Sequence, residues 1–277
     1  MTQQTILITG CSSGIGYDAA VTMRSRGWRV FATCRKEVDC IRLRQEGFEC
    51  FHLDYEDVHS IEKAVGDVLK QTGGTLDALF NNGAYAIPAA LEDVPTDALR
   101  AIFEANLFGW HDLTCRVIPV MRAQGHGRIV QCSSVLGFIP MPWRGAYVAT
   151  KYALEGLSDC LRLELNGTNI RVILIEPGPI RTRFRHNAGL QFRKWIDWEK
   201  SALSDRYREK LIPRLDAAGS KKDRFELPPS AVSGKLVHAL ESPRPAARYF
   251  VTTPTYVANF LSRLLPTRVS DMILGRG

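Results

Sequence analysis

Residues 5–16 read TILITGCSSGIG, and the stretch admits two readings that lead to different enzymes. Gly10, Gly14 and Gly16 are spaced to seat a dinucleotide, yet Gly10-Cys11-Ser12-Ser13-Gly14 also spells G-x-S-x-G, the turn that exposes a hydrolase serine. A nucleophile elbow takes one oxyanion donor from a loop after an earlier strand. Only nine residues precede Gly10, which leaves no room for that loop. The dinucleotide reading needs a strand before the glycines and a helix after them. Ile6-Leu7-Ile8-Thr9 supplies the first and residues 15–26 the second. Gly10 then allows the tight turn, Gly14 the approach of backbone to a pyrophosphate, and Gly16 close packing of helix on strand. Ser12, Ser13 and Ile15 lie on the same turn and complete the candidate cradle.

Beyond this turn, short β-branched runs alternate with helix-length segments. Residues 5–9, 29–33, 48–53, 76–81, 127–132 and 169–175 read as strands, which predicts a doubly wound α/β fold with a parallel sheet covered by helices on both faces. After Pro177 the rhythm stops. Residues 181–229 mix charges with Phe184, Phe192, Trp195, Trp198, Tyr207 and Phe225, show no strand, and read as a helical excursion at the sheet's carboxyl edge. A helix over 229–240, a last strand over 248–252 and an apolar-faced tail over 256–265, interrupted by Pro266, close the pattern. The expectation is one Rossmann-type domain over 1–277, of about seven strands. Residues 1–180 form its cofactor-binding and catalytic core, 181–229 the substrate-binding excursion and 230–277 the last helix, strand and tail.

Composition agrees with a folded chain: 45% of residues are hydrophobic and 23% charged. The seven cysteines, at 11, 34, 40, 50, 115, 132 and 160, show no C-x-x-C and no zinc-type pairing with histidine, and read as reduced, mostly buried residues with no metal role. With no signal-peptide pattern and no uncharged apolar run of about 20 residues, the sequence predicts a cytoplasmic protein without an integral membrane segment. The net charge of +7 is scattered, its densest patch being Arg181, Arg183 and Arg185, which argues against a nucleic-acid partner.

About 20 residues beyond the glycines, at the end of the second strand, an acidic side chain would select NAD. Cys34 and Arg35 stand there instead. A guanidinium holds a 2′-phosphate through charge-assisted bonds of roughly 1.5–3 kcal/mol each, against about 1.4 for a factor of ten. Arg35 therefore predicts NADP(H) favoured over NAD(H).

Tyr147 and Lys151 are spaced i, i+4 in a segment, residues 146–164, with helical periodicity, so both face one side. Moving a phenol from pKa about 10 to about 7 takes roughly 4 kcal/mol. One ammonium about 4 Å away supplies that much at an effective dielectric near 20. The pair is thus predicted to give and take a proton, although Y-x-x-x-K alone also arises as surface decoration.

The pair does not stand alone. Thr9-Gly10-x-x-x-Gly14-Ile15-Gly16, Asn81-Asn82-Gly83-Ala84, Asn106, Ser134 thirteen residues before Tyr147, Lys151, and Pro177-Gly178 follow the order and spacing that resembles the short-chain dehydrogenase/reductase family. The resemblance covers residues 5–182 closely and the rest loosely. It implies a catalytic set of Asn106, Ser134, Tyr147 and Lys151. Tyr147 would be the general acid–base, Lys151 the pKa modulator and ribose ligand, Ser134 the holder of the substrate oxygen, and Asn106 the keeper of a water in line with Lys151. Asp54 would face the adenine amino group, Asn82, Gly83 and Ala84 would line the cofactor, and Pro177, Gly178, Ile180 and Thr182 would border the nicotinamide carboxamide.

Two positions depart from the family pattern. The family writes N-N-A-G where this chain has Asn82-Gly83-Ala84 after Asn81. Its NADP users often carry a basic residue just before the second glycine, where Ser13 stands. Residues 30–35 and the tail ending Leu264-Leu265-Pro266 resemble the branch holding 17β-hydroxysteroid and retinol dehydrogenases and their bacterial relatives. That branch implies a lipophilic alcohol or ketone as partner and, by analogy, a homodimer or homotetramer. The aromatics of the excursion either roof such a substrate or pack the excursion onto the sheet. The tail's apolar face covers the pocket, joins subunits or touches a membrane surface. The rival from another class is a catalytically silent binder of the same cofactor, for which an intact tetrad has no purpose.

Overall fold

Ile6, Leu7 and Ile8 are wholly buried, as consecutive residues of a strand covered on both faces must be. They form β1 (Thr5–Ile8) in a computed structural model that describes residues 3–217 and 225–275. Among these residues the chain continues through β2 (Arg29–Cys34), β3 (Glu49–His52), β4 (Ala78–Asn81), β5 (Gly127–Cys132), β6 (Ile170–Glu176) and β7 (Arg248–Phe250). The sheet runs β3-β2-β1-β4-β5-β6-β7, with every pair parallel. Helices α1 (Gly14–Ser25), α2 (Glu37–Gln45), α3 (Val58–Thr72), α4 (Thr96–Phe103), α5 (Gly109–Gln124) and α6 (Gly145–Glu164) connect the first six strands. This is the Rossmann-type arrangement, and β1 and β4 flank its switch point, where consecutive connections leave in opposite directions.

All seven expected strands are present, with ends trimmed for identifiable reasons. The Phe48 amide closes α2 on the Leu43 carbonyl instead of joining the ladder, so β3 starts one residue late. The Leu76 amide is taken by the Gln124 side chain, which delays β4 to Ala78.

The excursion opens with α7 (Phe184–Trp195) and continues in short helical turns around Tyr207. Contrary to the strandless expectation, it returns through a single parallel bridge between Ile180 and Leu227. Its residues 218–224 lie outside the described residues, as do 1, 2, 276 and 277 at the ends of the expected domain. Phe192 and Tyr207 are buried in a second apolar cluster with Ala86, Ile87, Ile102 and Tyr147, so these two aromatics pack the excursion onto α6. The Tyr207 hydroxyl donates to Asp93 at 2.7 Å and accepts the Ala90 amide at 2.9 Å, which anchors the excursion to the loop after β4.

The C-terminal part comprises α8 (Ser230–Glu241), β7, α9 (Thr253–Leu264) and α10 (Thr267–Leu274). The predicted tail helix does end just before Pro266, but Pro266, in extended backbone, is also the N-cap of a further helix. No helix among the described residues is long and apolar enough to cross a membrane.

β6 and β7 meet at a buried charge cluster. The Arg248 guanidinium donates to Glu155 of α6 and to Glu176 at the end of β6, and to Asp159 at 2.7 Å. Glu176 has no solvent exposure, and burial first, then the nearby Glu155 carboxylate, pushes its pKa up to about 8. Stability from the protonated group is therefore complete below about pH 4.5 and lost as the pH rises through about 8. Urea unfolding is expected to show that decline over this window, and Glu176→Gln is expected to flatten it. A wild-type profile level across the window would refute the assignment. Arg248→Met, which strands buried carboxylates without a partner, should cost about 3–5 kcal/mol in the same assay.

Candidate active site

The turn after β1 adopts the conformation its glycines permit. Gly10 and Gly14 have φ of +68° and +62°, the left-handed region that favours glycine. A Cβ on Gly16 would lie 2.4 Å from the Gly10 carbonyl oxygen, and one on Gly10 would lie 2.7 Å from the Gly83 Cα. The loops after β1 and β4 thus touch backbone to backbone at the switch point. The transposed Gly83-Ala84 pair is compatible with this, since a Cβ on Gly83 would meet Tyr55 at 3.3 Å and Gly10 at 3.5 Å. Asn82 faces inward, donating its Nδ2 to the Thr9 carbonyl at 3.0 Å. Ser13 caps α1 in extended backbone with no side-chain bond to the helix, and no acidic residue stands in the first turn. A helix N-terminus with uncapped N–H groups and a glycine cradle fits the pyrophosphate of a dinucleotide.

Tyr147 and Lys151 sit on the buried side of α6, as the spacing predicts. Ser134, at the end of the loop after β5, caps a short turn by accepting the Leu136 amide at 3.1 Å and lies within hydrogen-bonding reach of the Tyr147 phenol. Lys151 is 1% exposed; its Nζ donates to the Cys132 carbonyl at 2.9 Å and stands 4.1 Å from the centroid of the Trp110 ring. It lies 5.7 Å from the centre of the Tyr147 ring.

The expected direction of the phenol's pKa is not what this arrangement gives. Burial, first, and the Cys132 thiol push Tyr147 up, against the Ser134 hydrogen bond that pulls it down. Burial also brings Lys151 down to about 8. The spacing argument counted the ammonium's attraction but not the desolvation of both groups, and here desolvation is larger. A phenol that keeps its proton is in its acid form.

Asn106 is wholly buried in a π-helical turn, Glu104–Phe108, inserted between α4 and α5. Its amide donates to the Tyr85 carbonyl at 2.8 Å and to Thr150 at 3.3 Å, and its oxygen accepts the Tyr85 amide at 3.1 Å. It therefore fixes the backbone just past Asn82-Gly83-Ala84, which is a positioning task. π-turns of this kind recur at functional sites.

Arg35 is exposed at the end of β2, close enough to Glu56 and Tyr85 to act on their ionisation. Asp54 accepts the Glu56 amide at 3.1 Å, and its own amide donates to Ser60 at 2.9 Å. Thr182 lies against the glycine turn, its Cγ2 being 2.9 Å from where a Gly14 Cβ would stand. Pro177 accepts the Val135 amide at 2.8 Å, tying its loop to the Ser134 turn. Gly178 has a packing reason of its own: a Cβ there would be 2.1 Å from the Thr252 hydroxyl. Ile180 is partly buried at the excursion's bridge.

Of the excursion's aromatics, Phe184 stands edge-on to Tyr147, with centroids 5.4 Å apart. Trp143, just before α6, holds a φ of +64°, costly for a bulky side chain, and is braced edge-on by Tyr207 at 4.9 Å. Sequence reading missed three supports. Trp110 lies under Lys151, Tyr55 brings its hydroxyl 2.7 Å from Thr9, and Thr9 accepts the Asn82 amide at 2.8 Å. Thr9 alone carried a signal, as the residue before Gly10 in the family's pattern.

Comparison with known proteins agrees with this geometry. Residues 4–191 match the family model described as short chain dehydrogenase. The chain is similar to the uncharacterized oxidoreductase YbbO of Escherichia coli, with 42% identity over 98% of this chain and 94% of that one. It is similar to the NADPH-dependent 3-dehydrocapnine reductase of Ornithobacterium rhinotracheale, with 31% identity over 96% of this chain and 94% of that one. A solved short-chain dehydrogenase from Streptomyces avermitilis superposes with a TM-score of 0.79 at 26% identity, covering 100% of this chain and 97% of the other. The glycine turn, the buried tyrosine and lysine on one helix face, and a family match over more than half the sequence have one explanation: the chain belongs to the short-chain dehydrogenase/reductase family, as an NAD(P)-dependent oxidoreductase.

Proposed function

We propose that this enzyme is an NADP(H)-dependent oxidoreductase that reduces a lipophilic carbonyl compound, with Tyr147 as general acid. The observation that carries the reading is the Ser134 hydroxyl beside the buried Tyr147 phenol, with the buried Lys151 amine one helical turn along. When bound, the nicotinamide supplies or accepts hydride. The chain's part is to hold the substrate oxygen between the Ser134 and Tyr147 hydroxyls and to exclude water from it. Tyr147 then passes its phenolic proton to that oxygen. Lys151, poised near neutrality, returns a proton toward the phenol. Alcohol oxidation runs the same proton path backward.

Arg35, exposed at the second strand's end without a carboxylate at that position, supports selection of a 2′-phosphate. The relative named for NADPH and for reduction of a 3-dehydro compound supports both cofactor and direction. Phe184 against Tyr147, with partly buried Trp195 and Trp198 in the same apolar cluster, supports a greasy substrate of the hydroxysteroid- and retinol-like class. In this reading residues 1–180 hold cofactor and catalysis, 181–229 the substrate and 230–277 the closing elements. Exposed Tyr152 and Leu157 on α6, with Phe108 just before α5, favour a homodimer or homotetramer through those helices.

Tyr147→Phe is expected to lower turnover of long-chain or steroidal ketones by about 10²–10⁴-fold while NADPH affinity, read by calorimetry, stays within a factor of two or so. Residual turnover within tenfold of wild type would remove Tyr147 from the role. Arg35→Ser should cut the NADP-over-NAD ratio of kcat/KM by about tenfold or more, and an unchanged ratio would overturn the ribose assignment.

A further inference from the structure

The spacing of the cysteines gave no reason to expect a metal, yet the fold gathers three of them. Cys34 ends β2, Cys40 lies in α2 and Cys50 lies in β3. Their Sγ atoms all lie within 4.8 Å of one another, and all three residues are buried. Among the described residues this is the only group of three or more such potential ligands drawn together so closely. The strand register explains part of it. Cys50 is opposite Ala32 and Cys34 opposite His52, so Cys34 and Cys50 sit diagonally on neighbouring strands with side chains on one face. α2 crosses that face and lays Cys40 over them, its Sγ 3.5 Å from both the Cys34 and the Phe51 carbonyl oxygens.

A single buried thiol behaves as a small apolar residue. Three that converge on one point offer a soft donor set. A tris-thiolate with metal–sulfur bonds of about 2.3 Å separates its sulfurs by about 4 Å, inside the observed limit. A disulfide would need two of the sulfurs at about 2.05 Å and would leave the third without a role. The Arg44 Nε donates to the Cys50 carbonyl at 2.8 Å and its Nη1 to Glu37 at 2.6 Å, so a guanidinium paired with a carboxylate lies beside the group. α2 buries only Cys40 and Leu43, so Cys40 is one of just two residues that seat this helix on the strands.

We propose that Cys34, Cys40 and Cys50 form a tris-thiolate site for one soft d10 cation, of the class of Zn²⁺ and Cd²⁺, beneath the adenosine end of the cofactor cleft. Binding one divalent ion releases one proton from each thiol and leaves a complex of net charge −1 beside Arg44; no electron transfer is involved. The ion would fasten α2 to β2 and β3, immediately behind Arg35. It would also lie next to Cys11 of the glycine turn, whose Sγ donates to the Ile8 carbonyl at 3.2 Å.

The test is titration of the reduced, full-length protein with Cd²⁺ alone. The expected result is one equivalent bound, with thiolate-to-cadmium charge-transfer absorption and release of three protons per ion. Cys40→Ser and Cys50→Ser should each weaken binding by more than about tenfold. The double variant Cys115→Ser/Cys160→Ser, which removes the two exposed thiols, should leave it unchanged. Cadmium NMR of the wild-type complex gives a readout that needs no core variant, and a shift in the all-sulfur range is expected. Absence of a stoichiometric charge-transfer band, its loss in the Cys115/Cys160 double variant, or a cadmium shift typical of nitrogen and oxygen ligands would each overturn the proposal.

Discussion

Thr9 holds the glycine turn and α6 to one geometry through the loop after β4. Its hydroxyl accepts the Asn82 amide at 2.8 Å and the Gly83 amide at 3.3 Å, and its carbonyl accepts the Asn82 side chain at 3.0 Å. The strands on either side of the switch point are therefore stitched together beyond their ladder, where no further strand pairing is available. From Gly83 the connection continues, since its carbonyl accepts the Trp110 indole at 2.8 Å. The face of that ring then carries the Lys151 ammonium at 4.1 Å. A single run of contacts thus joins the glycine turn to Lys151 on α6. Each link is worth only about 0.5–1.5 kcal/mol net, but leaving one buried partner unsatisfied costs about 1–3, so the links are held as a set.

The parts legible in the sequence are those whose signal is local. Gly10 and Gly14 announce a turn because their left-handed backbone favours glycine, Gly16 because a Cβ there would meet the Gly10 carbonyl, and the apolar run 172–175 announces a doubly covered strand because it is buried throughout. Tyr147 and Lys151 share a face because helical geometry alone puts them there. Trp110 and Tyr55 were invisible for the opposite reason: their partners are 41 and 46 positions away in sequence, and a lone aromatic on a helix, as Trp110 is, or in a turn, as Tyr55 is, reads as core whatever it supports. The same blindness hid the three cysteines, whose spacings of six and ten residues match no metal motif and become meaningful only through the β2–β3 register and the crossing of α2.

The ionisation of the tyrosine and lysine shows where spacing misleads. Spacing fixes how far apart two groups stand but says nothing of the medium between them. A burial deep enough to keep water off the substrate oxygen also penalises both charged forms, lifting the phenol and lowering the amine. The outcome is a phenol held in its protonated form beside an amine whose pKa is brought down toward neutrality.

The C-terminal segment belongs to the site's scaffold for steric reasons. Thr252 and Thr255 are wholly buried at the start of α9, and their hydroxyls, 3.0 Å apart, occupy the space that any side chain at position 178 would need. Gly178 is thereby held between β6 and the tail, with Pro177 bonded to the Ser134 turn at 2.8 Å. From there the chain reaches Thr182, which abuts Gly14. The glycine turn is braced from one side by Thr9 and from the other by this loop. The helix that presents Val257, Phe260 and Leu264 as apolar surface is thus the one whose first turn packs, through Thr252 and Thr255, on the loop that reaches Ser134 and Gly14.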